Sequence, residues 1–200
     1  MENTLSRRAF IQASLIGAAG LSSLSFTPLI FAQSSRGIKG VPAPELKVTD
    51  WIDGNGDPQT PFQISQHKGK WIYLKCFQEW CPACHSTGFP NLQKLVAEFP
   101  NNDIVVAAVI QTTFEGFSSN NKEALRKNQL RYDLNLPFGH DPGNIDLPKS
   151  EPDRFPKTMQ SYRTGGTPWV VIIDPSGTVV FNDFHIDIDK LITFLKTQAV

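Results

Sequence analysis

The stretch LKCFQEWCPACHSTGFPNL, residues 74–92, decides the fold because it joins a buried strand to a helix around a pair of cysteines. Residues 71–77, WIYLKCF, are rich in β-branched and aromatic side chains, which predicts a buried strand. Apolar residues then recur at intervals of three and four, which predicts a helix over residues 82–99 that Pro90 should kink. Cys81 and Cys84 therefore lie where the strand ends and the helix begins.

Periodicity and turn residues predict the elements on either side of this stretch. Strands are predicted over residues 46–52, 61–65, 103–111, 136–141, 168–174 and 178–184, and helices over residues 120–132, 158–163 and 187–198. The helix that starts near residue 120 should begin at an Asn cap, and the last helix at Asp187 or Asp189. This order of elements predicts an α/β fold in which a mixed central sheet has helices on both faces.

The N-terminal residues 1–32 have the order of an export signal. Arg7 and Arg8 precede a mostly apolar stretch, rich in Gly, Ala and Ser, that carries no charge until Arg36. The S-R-R-x-F-I opening resembles a twin-arginine signal, so we expect export to a bacterial periplasm, with a cut after Ala32. The alternative is an uncleaved membrane anchor, although the Gly and Ser content makes the stretch weakly apolar.

The rest of the chain has the composition of a soluble domain. Residues 33–45 are small, polar and proline-bearing, which predicts a linker and leaves residues 46–200 as the folded domain. The chain has 19 basic and 19 acidic residues and is 40% hydrophobic, as is typical of a soluble globular protein. Without a basic surplus, we expect no nucleic-acid partner, and we expect no stable membrane insertion unless the signal stays uncleaved.

The spacing of Cys81 and Cys84 is compatible with a metal site, a structural disulfide or a redox pair. A zinc site needs a second pair of ligands, and the remaining candidates, Cys76 and the histidines 67, 85, 140 and 185, form no such pair. A structural disulfide across so short a loop would constrain little of the unfolded chain. The position between a strand and a helix favours the redox pair, with no metal and no bound cofactor.

The start of a helix favours an ionised thiol at Cys81. Unpaired N–H groups and the partial positive charge of the first turn stabilise a thiolate, which is the attacking species in disulfide exchange. Pro82 suits the first helical position because its missing N–H costs no hydrogen bond there. We therefore expect Cys81 to be the exposed nucleophile and Cys84, one turn later, to be the shielded resolving thiol.

Three motifs of the chain match those of one known family. WCPAC (80–84) matches an active-site W-C-x-x-C, and GGTPWVVIIDPSG (165–177) matches a G-x-P motif that leads into a strand. Residues 41–77 are similar to the family's N-terminal β-hairpin and central strand. Together these motifs resemble the exported TlpA-like thiol-disulfide oxidoreductases over residues 42–198. The resemblance implies a thioredoxin-like fold with an N-terminal β-hairpin extension.

The resemblance also assigns a docking surface for substrates. It implies that Pro168 is a cis proline that exposes the backbone of Thr167, with which an extended substrate peptide pairs. Trp80 and Pro82, on either side of Cys81, are implied to complete this surface.

The proton of the resolving thiol is where the chain departs from the resemblance. Thioredoxins place a buried acid six residues before the first active cysteine, and here that position is Lys75. A buried lysine either loses its charge or stabilises a nearby thiolate. Glu79 is the nearest acid in the sequence, and it is either an alternative proton acceptor or a solvated loop charge.

The leading hypothesis is a thiol-disulfide oxidoreductase, acting as a reductase by family analogy. It would act on protein thiols or disulfides and exchange electrons with an upstream redox donor or acceptor. One alternative is a peroxiredoxin-like thiol peroxidase, which FEGFSSNN (114–121) favours and Gln78 disfavours, since such enzymes have Thr or Ser at that position. Another is a copper-handling protein that uses Cys81, Cys84 and a histidine, although related chaperones have a wider cysteine spacing.

Overall fold

The computed structural model describes residues 36–198. The predicted export signal and its cleavage site lie outside these residues. The elements in chain order are β1 (Asp50–Ile52), β2 (Pro58–Gln59), a 3₁₀ turn (Ile64–His67), β3 (Trp71–Phe77), a π-helical turn (Cys84–Gly88), α1 (Phe89–Glu98), β4 (Val105–Thr113), α2 (Glu123–Arg131), β5 (Phe138–Pro142), a second 3₁₀ turn (Pro152–Arg154), α3 (Lys157–Tyr162), β6 (Trp169–Ile173), β7 (Val179–Asp183) and α4 (Ile188–Thr197). Within this part of the chain, no helix is long and apolar enough to cross a membrane.

The strands form one mixed sheet of seven, in the order β2-β1-β5-β4-β3-β6-β7. Strand β4 pairs in parallel with both β3 and β5, whereas β3 pairs antiparallel with β6. All seven residues of β3 are buried, which confirms the predicted strand with its predicted bounds. The N-terminal hairpin, β1 and β2, extends the sheet beyond β5 with antiparallel pairing.

Helices cover both faces of the sheet, as the order of elements predicts. One apolar cluster joins the sheet to α1, α2 and α4 through Leu92, Leu125 and Leu195. The other cluster joins it to α3 and the first 3₁₀ turn through Tyr162 and Ile64. Because side chains alternate along a strand, Tyr73, Lys75 and Phe77 of β3 face the first cluster, on which α1 lies.

The predicted second strand over residues 61–65 is wrong. Strand β2 lies earlier, at Pro58–Gln59, and the chain forms the first 3₁₀ turn instead. The Glu45 carboxylate accepts hydrogen bonds from the backbone N–H groups of Ile64 at 2.7 Å and Ser65 at 2.8 Å. Since these N–H groups have no partner within the turn, the distant carboxylate stabilises a conformation that the local apolar pattern does not indicate.

The second half of the predicted linker is attached to the domain. The backbone N–H of Gly40 donates to the carbonyl of Val179, and the N–H of Val179 donates to the carbonyl of Val41. Further on, Pro42 forms an isolated bridge with Thr178. These contacts cover the outer edge of β7, a strand that would otherwise present unpaired backbone groups.

Side-chain acceptors meet the first turns of α2 and α4. The Asn121 side chain accepts a hydrogen bond from the backbone N–H of Ala124, although Lys122, and not the predicted asparagine, directly precedes α2. The Asp187 side chain accepts one from the backbone N–H of Lys190, which makes Asp187 and not Asp189 the cap of α4. Both caps supply an acceptor to an N–H that has no partner within its helix.

Candidate active site

The helix that carries the cysteines is irregular where Pro90 was expected to kink it. Between Cys84 and Gly88 the chain forms a π-helical turn, and the N–H of Phe89 donates to the carbonyl of Cys84, five residues earlier. Pro90 then occupies the first turn of α1, where its missing N–H is tolerated. The wider turn is thus the form that the expected kink takes, and it sets the position of Cys84 against β3.

Both candidate redox residues are free thiols at the start of this helix. The backbone N–H of Cys84 lies 3.4 Å from Sγ of Cys81, and Sγ of Cys81 lies 3.5 Å from the carbonyl oxygen of Thr167. Cys81 is less exposed than the sequence predicts: 5% of its surface is accessible, against none for Cys84. The packing of its sulfur against the loop before β6 accounts for the difference, and Cys81 is still the more accessible of the two.

Hydrogen bonding and burial shift the pKa values of the two thiols in opposite directions. The pKa of Cys81 falls to about 5, chiefly because the Cys84 thiol donates a hydrogen bond to its thiolate. The Thr167 side chain, the backbone N–H of Cys84 and the positive charge of Lys75 lower it further, against the effect of burial. Burial raises the pKa of Cys84 far above its ordinary value, and its hydrogen bond to Cys81 raises it further. At neutral pH this arrangement holds one thiolate and one neutral thiol side by side.

The predicted docking residues surround Cys81. The Thr167–Pro168 peptide bond is cis, as the resemblance implies, and Pro168 is buried directly before β6. Pro82 is exposed at the first helical position. Trp80 is 38% exposed, and its indole N–H donates to the side-chain oxygen of Gln78 at 3.1 Å.

Phe117 packs on Trp80, a contact that the sequence analysis missed. It is 47% exposed and its ring lies 4.7 Å from that of Trp80, centroid to centroid. The two rings thus form an exposed aromatic pair beside the nucleophile. The sequence of the segment that carries Phe117 resembles peroxidases, and no local pattern in it indicates that it folds back onto Trp80.

Lys75 lies fully buried beneath the cysteine-bearing turn. Its Nζ is 4.8 Å from the centre of the Phe89 ring and has no hydrogen-bond partner among the described residues. Burial lowers the pKa of Lys75 to about 8, although the thiolates that Cys84, Cys76 and Cys81 can form oppose this effect. Both sequence-based readings of a buried lysine, loss of charge and stabilisation of a thiolate, therefore describe accessible states.

Glu79 is not a solvated loop charge. Only 7% of its side chain is exposed, and its carboxylate binds Lys127 and Asn128 of α2. Its backbone carbonyl lies 2.6 Å from Nε2 of His85, whose Nδ1 lies 2.7 Å from the Tyr132 hydroxyl. Glu79 thus ties the loop before Cys81 to α2 and to the helix after it.

The third cysteine and the histidines form no further centre. Cys76 is fully buried, and burial raises its pKa to about 12, so its thiol stays protonated. Across residues 36–198, no three or more His, Cys, Asp or Glu side chains come together in a way that could hold a metal ion.

Comparison with known proteins places this geometry in context. The model of the AhpC/TSA family matches residues 40–182. Among solved structures, a thioredoxin-like superfamily protein is 28% identical with a TM-score of 0.65, over 78% of this chain and 94% of that one. A thiol-disulfide isomerase from Corynebacterium glutamicum is 26% identical with a TM-score of 0.64, over 79% of this chain and 96% of that one. Comparison with curated proteins gives no match.

Proposed function

The chain belongs to the AhpC/TSA family and has a thioredoxin-like fold, and we propose that it exchanges disulfides with protein thiols through Cys81 and Cys84. The observation that carries this proposal is that the two thiols differ in protonation state. Cys81 is ionised, with a pKa of about 5, whereas its neighbour Cys84 is held neutral. The similarity to a thiol-disulfide isomerase supports the same chemistry. The finer resemblance to exported TlpA-like proteins is part of the proposal.

The first half of the reaction is attack by Cys81. Its thiolate displaces one sulfur of a substrate disulfide, so a bond forms between Cys81 and the substrate while the substrate's own S–S bond breaks. The departing substrate sulfur leaves as a thiolate and takes a proton from solvent. The backbone of Thr167, next to the nucleophile, supports the extended substrate segment during this step.

The second half is resolution by Cys84. Its thiol loses a proton, and the resulting thiolate attacks Sγ of Cys81, which releases the second substrate sulfur as a thiolate that is then protonated. The substrate has gained two electrons and two protons, and the protein holds a disulfide between Cys81 and Cys84. An upstream dithiol donor would return it to the reduced form.

The direction proposed from the resemblance is reduction of substrates. The stabilised Cys81 thiolate acts against this direction, since a stabilised dithiol form raises the reduction potential of the pair. Equilibration with glutathione measures this potential. A value below about −200 mV supports the reductase, whereas a value near that of strong oxidants, about −120 mV, would assign the opposite direction.

Trapping of mixed disulfides tests the proposed roles. The Cys84→Ala variant, expressed in its own cell, should accumulate proteins covalently attached to Cys81, because the resolving thiol is gone. A reductant should cleave these adducts, and they should be missing from Cys81→Ala. Equal adducts on Cys81→Ala, or none on Cys84→Ala, would contradict the assignment. The Cys76→Ala substitution is the matched control. Because the Cys76 thiol is buried, its removal should leave the amount of adduct unchanged.

We also propose that the protein acts in a bacterial periplasm, on the basis of the paired arginines and the apolar stretch that follows them. Replacement of Arg7 and Arg8 by lysines should retain the charge but prevent export through the twin-arginine route. Fractionation of cells that express each form measures this. Undiminished periplasmic protein from the lysine form would contradict the proposed route.

A peroxidase activity remains the enzymatic competitor, given the family to which the chain belongs. Three residues before Cys81 the chain has Gln78, whose side-chain oxygen accepts hydrogen bonds from Trp80 and Asn120. The hydroxyl expected there in peroxidases is therefore replaced by an amide that anchors the neighbouring loop. We expect the reduced protein to consume hydrogen peroxide no faster than a free thiol, and rapid consumption would favour the peroxidase.

A further inference from the structure

The buried amine of Lys75 is an exception to the rule that buried charges have partners. Its side chain is fully inaccessible, and Nζ makes no hydrogen bond to any of residues 36–198. Its neighbours in the sheet are Val109 on β4 and Val170 on β6, which offer no charge. Such an amine destabilises the fold, so its presence under the thiols suggests a role in their chemistry.

The helix above Lys75 is shaped to admit the amine. A Cβ on Gly88 would lie 2.1 Å from Nζ of Lys75 and 3.2 Å from Cβ of Pro168. Gly88 closes the π-helical turn that Cys84 opens. The missing side chain at Gly88 therefore leaves room for the amine between this turn and the cis-proline loop.

The titratable groups that face Lys75 are mainly thiols. Cys84 and Cys81 act on it from the helix and the loop before it, and Cys76 acts from the next position of β3. The phenols of Tyr73 and Tyr132 share the same apolar cluster, and burial raises the pKa of both, so they stay neutral. The charge of Lys75 is thus coupled to these three thiols, and most strongly to Cys84.

We propose that Lys75 is the base that takes the proton from the Cys84 thiol during resolution, an inference that rests on the proposed function. In this step the neutral amine accepts the proton as the Cys84 sulfur bonds to Sγ of Cys81. The amine becomes an ammonium, the substrate sulfur departs with the electron pair of the broken S–S bond, and the ammonium later returns its proton to solvent. The new cation also stabilises the negative charge that passes between the sulfurs.

The redox cycle itself prepares the base. In the dithiol form the Cys81 thiolate raises the pKa of Lys75 and favours the ammonium. Once Cys81 is tied into a mixed disulfide, this negative charge is lost, which lowers the pKa of Lys75 further. The loss of this charge therefore favours the neutral amine at the one step in which a proton acceptor is needed.

Reaction of the reduced full-length protein with dithiobis(nitrobenzoate) separates the two steps. The first coloured thiolate is released by attack of Cys81 and the second by resolution through Cys84, so stopped-flow absorbance follows both. The variants are Lys75→Met, which removes the amine, and Lys75→Arg, which keeps a cation that cannot accept a proton. Lys68→Met, at an exposed position, is the matched control.

If Lys75 is the base, the second phase of the wild type, which is resolution through Cys84, should become faster as pH rises and level off near or below pH 8. Lys75→Met and Lys75→Arg should slow this phase by about 100-fold or more and remove the levelling. The first phase and the circular dichroism should stay close to wild type in both variants, which shows that the fold and the nucleophile are intact.

Two results would overturn the proposal that Lys75 is the base. A second phase of wild-type speed in Lys75→Met would show that the amine takes no part. A phase that slows above pH 8, and that Lys75→Arg preserves, would assign Lys75 as a fixed charge. Failure of the proposed function looks different, since both phases would then persist in Cys81→Ala.

Discussion

Removal of the Cys84 thiol should raise the pKa of Cys81. The hydrogen bond from Cys84 is the largest cause of the low pKa of Cys81, and Ala cannot donate it whereas Ser can. A hydrogen bond to a charged group contributes about 1.5–3 kcal/mol, and one pKa unit corresponds to about 1.4 kcal/mol. We therefore expect the pKa of Cys81 to rise from about 5 to about 6–7 in Cys84→Ala, and to stay near its wild-type value in Cys84→Ser.

The pH dependence of alkylation measures this directly. Iodoacetamide reacts with the thiolate, so the rate plotted against pH has its midpoint at the pKa of Cys81. Mass spectrometry should show a single modified residue, because Cys76 is fully buried and its pKa is raised to about 12. A midpoint unchanged in Cys84→Ala would refute the reasoning, as would an equal rise in Cys84→Ser.

Four further predictions concern residues around the site. Lys75→Met should raise the free energy of unfolding by roughly 3 kcal/mol at neutral pH, because the lowered pKa of Lys75 destabilises the fold below about pH 8. Gly88→Ala should cost about 1–3 kcal/mol, since its Cβ would lie 2.1 Å from the Lys75 amine. Phe117→Ala should slow reaction with protein substrates about fivefold, as an exposed partner of Trp80 would at a docking surface. Asp187→Ala should cost about 1 kcal/mol through loss of the α4 cap.

Each of these predictions has its own control. The free energy of unfolding of the wild type should rise with pH above about 8, where the unfolded lysine still binds a proton that the folded one has lost, and Lys75→Met should not show this rise. A Gly88→Ala cost that persists when Lys75 is also Ala would place the collision elsewhere. Phe117→Ala should leave the reaction with glutathione disulfide unchanged, and an equal loss there would contradict a docking role. Asp187→Asn should retain most of the cap.

Local sequence patterns were sufficient for the elements that build the site. The run of apolar residues at 71–77 gave β3 with its observed bounds, since a strand buried on both faces needs no polar alternation. The C-x-x-C spacing and Pro82 marked the start of the helix because capping and proline geometry are local properties. The misassigned strand over residues 61–65 shows the limit, as the distant carboxylate of Glu45 stabilises a turn there.

The electrostatics of the site depend instead on groups that are far apart in the sequence and come into contact only in the folded chain. Cys81 and Thr167 are 86 positions apart, yet a hydrogen bond from the Thr167 side chain helps to lower the pKa of Cys81. Phe117 reaches Trp80 from the segment between β4 and α2, and Glu79 is buried by residues of α2.

The sequence by itself determined a thiol pair at the junction of a strand and a helix, because helix and strand periods are written in neighbouring residues. Only the tertiary structure decided how far the pKa values of the two thiols separate and that the Lys75 amine lies unpartnered beneath the pair. Burial and hydrogen bonding set a pKa, and both are created only when distant segments pack together.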